Sequence, residues 1–236
     1  PHASPVFHAI QYLLGQQTRQ ITLETALASD NLVVERFTAT EAVSASFVLH
    51  IDCLSPSAHL DTAKLASQEV TLRLMQGDGK RRAWHGYVAD CASLGGDGGL
   101  ARYRLRVVPW LDRLRTRSDC FVYQDKTALE ILEDVFSEYP TAHYKIATTQ
   151  PCAKRSICCQ YRETDYAFVM RLLAEEGLSF RIEHEQSDDK QQQGSTQSRH
   201  TVVIFDNDAQ RPACPQPQIR FHRVDATESE DAIERF

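Results

Sequence analysis

The sequence predicts an α+β fold that is mainly β, with antiparallel strands first and a smaller mixed unit after them. Three observations carry that expectation. Apolar and polar residues alternate through residues 45–107, glycine-rich turns interrupt the alternation, and two capped helical patterns follow between residues 127 and 177.

The first strand lies in "ASFVLHIDCL", where Ala45, Phe47, Leu49, Ile51 and Cys53 share a face opposite Ser46, Val48, His50 and Asp52. In "QEVTLRLMQ" the inward set is Val70, Leu72 and Leu74. The turn "GDGK" (Gly77–Lys80) leads into "RRAWHGYVADCASL", and "GGDGG" (Gly95–Gly99) leads into "LARYRLRVVPW". Strands joined by such turns form an antiparallel meander. In the last of them Arg102, Arg104 and Arg106 share one face, with Tyr103, Leu105 and Val107 on the other.

After Trp110 the period changes. Thr127 is placed to cap a helix, and Glu130 three residues on completes a capping box. Leu129, Leu132, Val135, Phe136 and Tyr139 then recur at helical spacing until Pro140 stops the run. A second helix is capped by Thr164 and ended by Gly177, with Phe168, Val169, Leu172 and Leu173 as its inward stripe. "LSFRIEHE" follows as a strand with Leu178, Phe180 and Ile182 inward and Arg181 and Glu183 outward, and "HTVVIFD" is its partner. Between them the polar tract "EQSDDKQQQGSTQSRH" has no face to bury and reads as a long mobile hairpin loop over residues 186–200. The start on Pro1 and the C-terminal "ESEDAIERF", which lacks a stop signal, suggest a piece of a longer protein.

Composition excludes several functions. A net charge of -6 argues against nucleic acid as a partner, because a duplex binder presents a basic face to phosphates. No apolar run approaches the ~18 residues of a membrane span, and the N-terminus lacks signal-peptide features. The seven cysteines, at 53, 91, 120, 152, 158, 159 and 214, are too scattered for a disulfide scaffold and suggest folding in a reducing compartment with mostly buried thiols.

Chemistry-bearing constellations are scarce. Cys152, Cys158 and Cys159 lack the paired spacing that lets four ligands converge on zinc, and adjacent strand residues point to opposite faces. One thiol of the Cys158–Cys159 pair is therefore expected to pack inward and the other to lie at the surface. "HEQSD" from His184 has Asp188 where a zinc protease needs a second histidine, and it follows a strand rather than lying in a helix. No nucleophile elbow, P-loop or dinucleotide fingerprint is present. The arginine row of Arg102, Arg104 and Arg106, continued by Arg113, Arg115 and Arg117, reads either as the solvated side of a strand or as an interface for an acidic partner. In "QYRETD", Tyr161 can bury its ring, Arg162 and Glu163 can bridge to neighbours, and Thr164 and Asp165 suit a helix N-terminus.

The stretch "CCQYRETDYAFVMRLLAEEGLSFRIEHE" resembles the signature of VgrG proteins, the spike proteins of type VI secretion systems. The matching positions are Gln160, Tyr161, Arg162, Glu163, Thr164, Asp165, Phe168, Val169, Arg171, Leu172, Leu173, Glu175, Glu176, Gly177, Glu183 and His184. Upstream, "VTLRL…HGYV", "LARYRLRVVPWLDRL" and "FVYQDKTALEIL" resemble further family segments, so collinear motifs cover residues 30–206. The polar loop is longer than the family's usual connection, "CC" replaces a more typical aromatic-Cys-Val, and the first 30 residues are only loosely similar.

The resemblance implies a phage tail hub-like fold: a partly open antiparallel barrel over residues 1–113, a small α+β domain with two capped helices over 114–206, and the truncated start of a further hub segment over 207–236. It implies a homotrimer that joins a hexameric, Hcp-like tube protein to a puncturing needle, together with baseplate components. Such a protein is assembled in the bacterial cytoplasm and then secreted, and it reaches a target membrane only through the needle. The resemblance implies no catalytic residues, cofactor or metal. The signature residues Gln160–Asp165, Arg171, Glu176 and Gly177 are expected to be structural, and Arg102, Arg104 and Arg106 remain a possible interface. The competing readings are a hub of a phage tail or related injection particle, a cysteine hydrolase using Cys158 or Cys159, and a module that binds an acidic partner.

Overall fold

Alternation in the first half produces one curled sheet. The computed structural model describes residues 20–25, 32–77, 79–97, 99–186, 198–207, 220–221 and 232–233. Its first six strands are β1 (Ile21–Glu24), β2 (Val33–Thr40), β3 (Val48–Ser55), β4 (Glu69–Met75), β5 (Arg81–Asp97) and β6 (Leu100–Val108). They pair antiparallel in the order β1-β4-β5-β6-β3-β2. The sheet curls into a half-barrel, and its outer strands β1 and β2 approach each other without pairing among the described residues. The meander of β4, β5 and β6 is as expected, and β1 and β2 are additions to it.

The inward faces follow the period of two. Leu49, Ile51, Cys53, Val70, Leu72, Tyr103, Leu105 and Val107 are all buried, with Phe47 and Trp84 among them. Gly86 lies where β5 crosses this core: a Cβ there would sit 2.7 Å from Val107 Cγ1 and 2.9 Å from the Val108 carbonyl oxygen. The second glycine turn is shorter than read, because pairing continues through Gly96↔Ala101 and Asp97↔Leu100. Strand β4 departs from simple alternation. Thr71 and Arg73, on its other face, are buried too, because the second half of the chain packs there.

That second half begins with a 3-10 helix, Trp110–Thr116, which sends Trp110, Leu111 and Leu114 inward. Strand β7 (Ser118–Thr127) leads into helix α1 (Ala128–Ser137), strand β8 (Tyr144–Ala147) and strand β9 (Lys154–Thr164). Helix α2 (Asp165–Glu175) and strands β10 (Ser179–His184) and β11 (His200–Phe205) complete it. Strands β7 and β9 form a two-stranded antiparallel ribbon. The other sheet has the order β10-β11-β8, antiparallel for the first pair and parallel for the second. A short parallel pair joins β12 (Arg220–Phe221) to β13 (Ala232–Ile233). Residues 187–197, the core of the expected hairpin loop, lie outside the described residues.

The caps explain the helix bounds. Thr127 accepts a hydrogen bond from the Glu130 amide at 3.2 Å, and the Glu130 carboxylate accepts one from the Thr127 amide at 2.7 Å. Helix α2 ends in a Schellman turn: the Gly177 amide donates to the Ala174 carbonyl and the Leu178 amide to the Leu173 carbonyl. Gly177 has φ +66, the left-handed conformation that such a turn needs. Both helices bury their stripes in a second core with Trp110, Tyr123, Phe136, Phe168, Phe180 and Ile204.

The two cores meet along a polar seam. The Ser44 amide donates to the Phe180 carbonyl at 2.8 Å, and the Ala83 amide to Gln186 Oε1 at 2.9 Å. The Tyr87 hydroxyl bonds Ser198 Oγ at 2.8 Å, and the Arg199 amide donates to Glu69 at 2.9 Å. Tyr87 itself belongs to the second core although its strand belongs to the half-barrel.

Candidate assembly surfaces

The string "QYRETD" ends β9 and starts α2, and its buried members form one knot. Gln160 is 2% exposed and donates from Nε2 to Asp165 Oδ1 at 2.7 Å and to the Glu163 carbonyl at 3.2 Å. Asp165, 1% exposed, accepts the Tyr139 hydroxyl on Oδ2 at 2.6 Å and faces the Arg117 guanidinium at 3.4 Å. Its own amide donates to the Arg117 carbonyl at 3.0 Å. The buried carboxylate thus gathers the ribbon, α1 and α2 at one point. It also pushes the Tyr139 hydroxyl up, after the larger effect of burial.

The exposed members extend the knot. Thr164 caps α2 by accepting the Ala167 amide at 3.1 Å. Glu163 pairs with Arg171 at 2.6 Å, and Arg171 also donates to the Cys159 carbonyl at 3.0 Å. Arg155 of β9 bridges Glu175 and Glu176 at the end of α2. Gln160, Glu163, Thr164, Asp165, Arg171 and Glu176 therefore tie the ribbon to a helix.

Tyr161 corrects the sequence reading. The string allows it to bury its ring, yet it is 65% exposed. The register explains this: Tyr161 pairs with Cys120, Cys159 with Val122 and Ile157 with Gln124, so these six side chains share the ribbon's outer face. Gln160 and Cys158 point the other way, onto the core. Val122 is 51% exposed and Ile157 69%, which makes the outer face an apolar strip. At one end Arg162, with φ +51, lies 5.4 Å from the Tyr161 ring centre.

The cysteine pair divides as its spacing suggests. Cys158 is buried and Cys159 exposed. Elsewhere burial moves thiols away from reactivity, pushing Cys53 up to about 12 and raising Cys91 and Cys152. Among the described residues no group of three or more His, Cys, Asp or Glu side chains is arranged to hold a metal ion.

Arg102, Arg104 and Arg106 lie on the outside of the half-barrel, and each meets a carboxylate of the same sheet, on an adjacent strand for Arg104 and Arg106 and one strand further, on β2, for Arg102. Arg102 pairs with Glu35 at 3.0 Å, Arg104 with Asp52 at 2.6 Å and Arg106 with Asp90 at 2.5 Å. Arg36 closes on the other side of Asp52 at 2.7 Å. Hydrogen bonds from Arg104 first, then from Arg36, hold the Asp52 carboxyl well below the usual carboxylate range. These charges are largely matched within the sheet, so the row offers less net positive field than its sequence suggests. The apolar outer face of the ribbon was missed from sequence. The alternation of Ile157, Cys159 and Tyr161 was its available signal, and it mimics a core-facing strand.

Residues 40–236 match the family model described as phage tail baseplate hub (GPD). Among curated proteins, the type VI secretion system spike protein VgrG1b of Pseudomonas aeruginosa is 31% identical over 82% of this chain and 25% of its own length. The spike protein VgrG1a of the same organism is 30% identical over 81% of this chain and 28% of its own length. The chain thus spans about a quarter of the length of these relatives. Among solved structures, an E. coli type VI secretion system component superposes with a TM-score of 0.68 at 22% identity, covering 78% of this chain and 49% of that one. It is described as structurally similar to the T4 bacteriophage tail proteins gp27 and gp5. A tail protein from Neisseria meningitidis superposes with a TM-score of 0.53 at 13% identity, covering 78% of this chain and 49% of its own.

Proposed function

Because the chain belongs to the phage tail baseplate hub family, we propose that it is the hub portion of a type VI secretion spike. In this reading three copies form an adaptor between a hexameric tube protein and a puncturing needle. The adaptor assembles with baseplate components in the bacterial cytoplasm and leaves the cell with the tube. It works by shape and surface matching, without catalysis, cofactor or nucleic acid. The observation that carries the reading is the likeness to VgrG1b, 31% identical across 82% of this chain.

Three structural features support it. The half-barrel supplies a stiff curved sheet with the ion-paired arginine row outside, a surface on which register with a neighbour can be set by polar contacts. The ribbon of β7 and β9 presents an apolar strip at a free face, where another copy can bury Val122, Ile157 and Tyr161. The two cores support a division near residue 113 into barrel and mixed units, with the signature residues welding the second unit together. A hub of a phage tail is the second reading, favoured by the Neisseria meningitidis tail protein's shared fold.

The test is export of the tube protein from cells in which the gene is deleted. Complementation with the full-length wild type is expected to restore export, and complementation with full-length Cys158→Ser/Cys159→Ser to do so equally. Failure of the wild type to restore export would sink the secretion reading and favour the phage particle. A defect confined to the serine variant, with its folding verified, would reopen a role for the thiols.

A further inference from the structure

Three histidines that the hub reading leaves unused meet at the seam between the half-barrel and the mixed unit. His85 comes from β5, His184 from β10 and His200 from β11. Ring centres are 6.3 Å apart for His85–His184 and 6.0 Å for His184–His200. Phe47 packs edge-on against His184 at 4.9 Å and His200 at 5.7 Å, so one side of the cluster is apolar. His85 and His200 are fully buried, and the His184 side chain is 6% exposed.

Backbone hydrogen bonds fix the protonation of these rings. The Trp110 amide donates to His200 Nε2 at 2.9 Å, so that nitrogen carries no proton. The proton sits on Nδ1, which is buried without a hydrogen-bond partner among the described residues. The His85 amide donates to His184 Nδ1 at 3.1 Å. His85 donates from Nε2 to the Glu185 carbonyl at 2.7 Å and accepts the Thr71 hydroxyl on Nδ1 at 2.8 Å. A second proton on His200 would set an N–H against the Trp110 N–H, breaking a bond inside the mixed unit, and would charge a ring that packs against Phe47 and Tyr87 of the half-barrel.

The charges around the cluster do not all act alike. Glu41, from the β2–β3 connection, lies 3.6 Å from His184 Nε2. It is shared with Arg82 and the Trp84 indole. Arg199, preceding β11, pairs with Glu185 and reaches Thr71, while Arg73 and Glu69 approach from β4. Arg113 of the 3-10 helix stacks on Tyr87. His143 donates to the Ser198 carbonyl at 3.1 Å. The charges that reach His200 are those of His184, His85 and His143, all positive when protonated. A charge on His200 therefore meets only repulsion from them.

We propose that His200, with His85 and His184 beside it, makes this seam an acid-sensitive latch that holds while its imidazoles are neutral and loosens when protons are forced into it. Burial supports the proposal by holding His200 well below the ordinary histidine range and pushing His85 down to about 4. With folded values depressed, the unfolded chain binds more protons below a free histidine value of about 6.5. Stability from these groups is complete above about pH 6.5 and declines as pH falls toward the folded values.

The experiment is urea unfolding between about pH 7.5 and about pH 5, comparing the wild-type chain with His200→Gln. The glutamine carbonyl can accept the Trp110 amide but cannot take up a proton. The wild-type folded-to-unfolded ratio is expected to fall by about tenfold more per pH unit below about pH 6.5 than that of the variant. Equal slopes would overturn the proposal. Nitrogen NMR of the wild-type imidazoles decides the matter should the variant not fold. A neutral His200 ring at about pH 5.5 in folded chain supports the latch, and a ring titrating near about 6.5 refutes it. Amide exchange then locates the opening: Trp110 is expected to lose protection before Ile51 of β3, and simultaneous loss would rule out a seam-specific device.

Discussion

Gln160 and Asp165 show how two residues can fix a junction that neither could hold alone. A buried carboxylate survives only where donors surround it, and Asp165 has three: the Gln160 amide, the Tyr139 hydroxyl and the Arg117 guanidinium. Asp165→Ala leaves all three without their acceptor and is expected to cost about 3 kcal/mol in a urea titration. Asp52 makes a different prediction, in pH. Its folded value is depressed, by Arg104 first, so its stabilisation is present above about pH 4 and lost as pH falls below that. The urea midpoint of the wild type should therefore drop more steeply below about pH 4 than that of Asp52→Asn. That window lies below the histidine window of the seam, so the two effects separate. At this scale the sequence was partly legible. Thr164 and Asp165 were readable as a helix start because capping is local chemistry, whereas the exposure of Tyr161 depends on which face of the ribbon meets a helix.

Elements that carry their own boundary signals were legible: the capping box of α1, the glycine stop of α2 and the alternation of β3 and β6 all stand in the sequence. The ribbon was not, and the reason is physical. Strand β9 alternates Ile157, Cys159 and Tyr161 with Cys158 and Gln160, so hydrophobicity alone would bury the wrong face. Packing of Tyr123 against Phe168, with ring centres 5.7 Å apart, puts Cys158 and Gln160 inside instead. Gly177→Ala tests the helix stop. With φ +66 the alanine Cβ is strained although the space around it is open, and a loss of about 1 kcal/mol is expected in thermal or urea unfolding. Ile157→Asp and Tyr161→Asp test the exposed strip. Each is expected to leave the chain's own stability within about 0.5 kcal/mol, because both side chains are largely exposed. In the full-length protein the same changes are expected to weaken self-association in sedimentation velocity; unchanged assembly would place the contacts elsewhere.

For the whole molecule, the question is whether two cores make two unfolding units. The curled sheet has its own core around Phe47, Leu72 and Trp84, and the mixed unit has its own around Trp110, Phe136 and Phe168. Against independence stand the bonds of the seam, the buried Tyr87–Ser198 pair among them, and Tyr87, which leaves its own sheet to pack in the other core. Opening the seam would expose the Tyr87 hydroxyl, the His85 amide and three imidazoles together, and no single side of it can satisfy those groups. At neutral pH the described chain is therefore expected to unfold in one cooperative step. Trp84→Phe leaves Trp110 as the fluorescent reporter of the mixed unit, and Trp110→Phe leaves Trp84 to report the half-barrel. In each variant the fluorescence midpoint in urea should coincide with the midpoint from circular dichroism. Divergence at neutral pH would mean that the seam is too weak to couple the units even with its histidines neutral, whereas coincidence at neutral pH that splits in acid is what coupling through His200 requires.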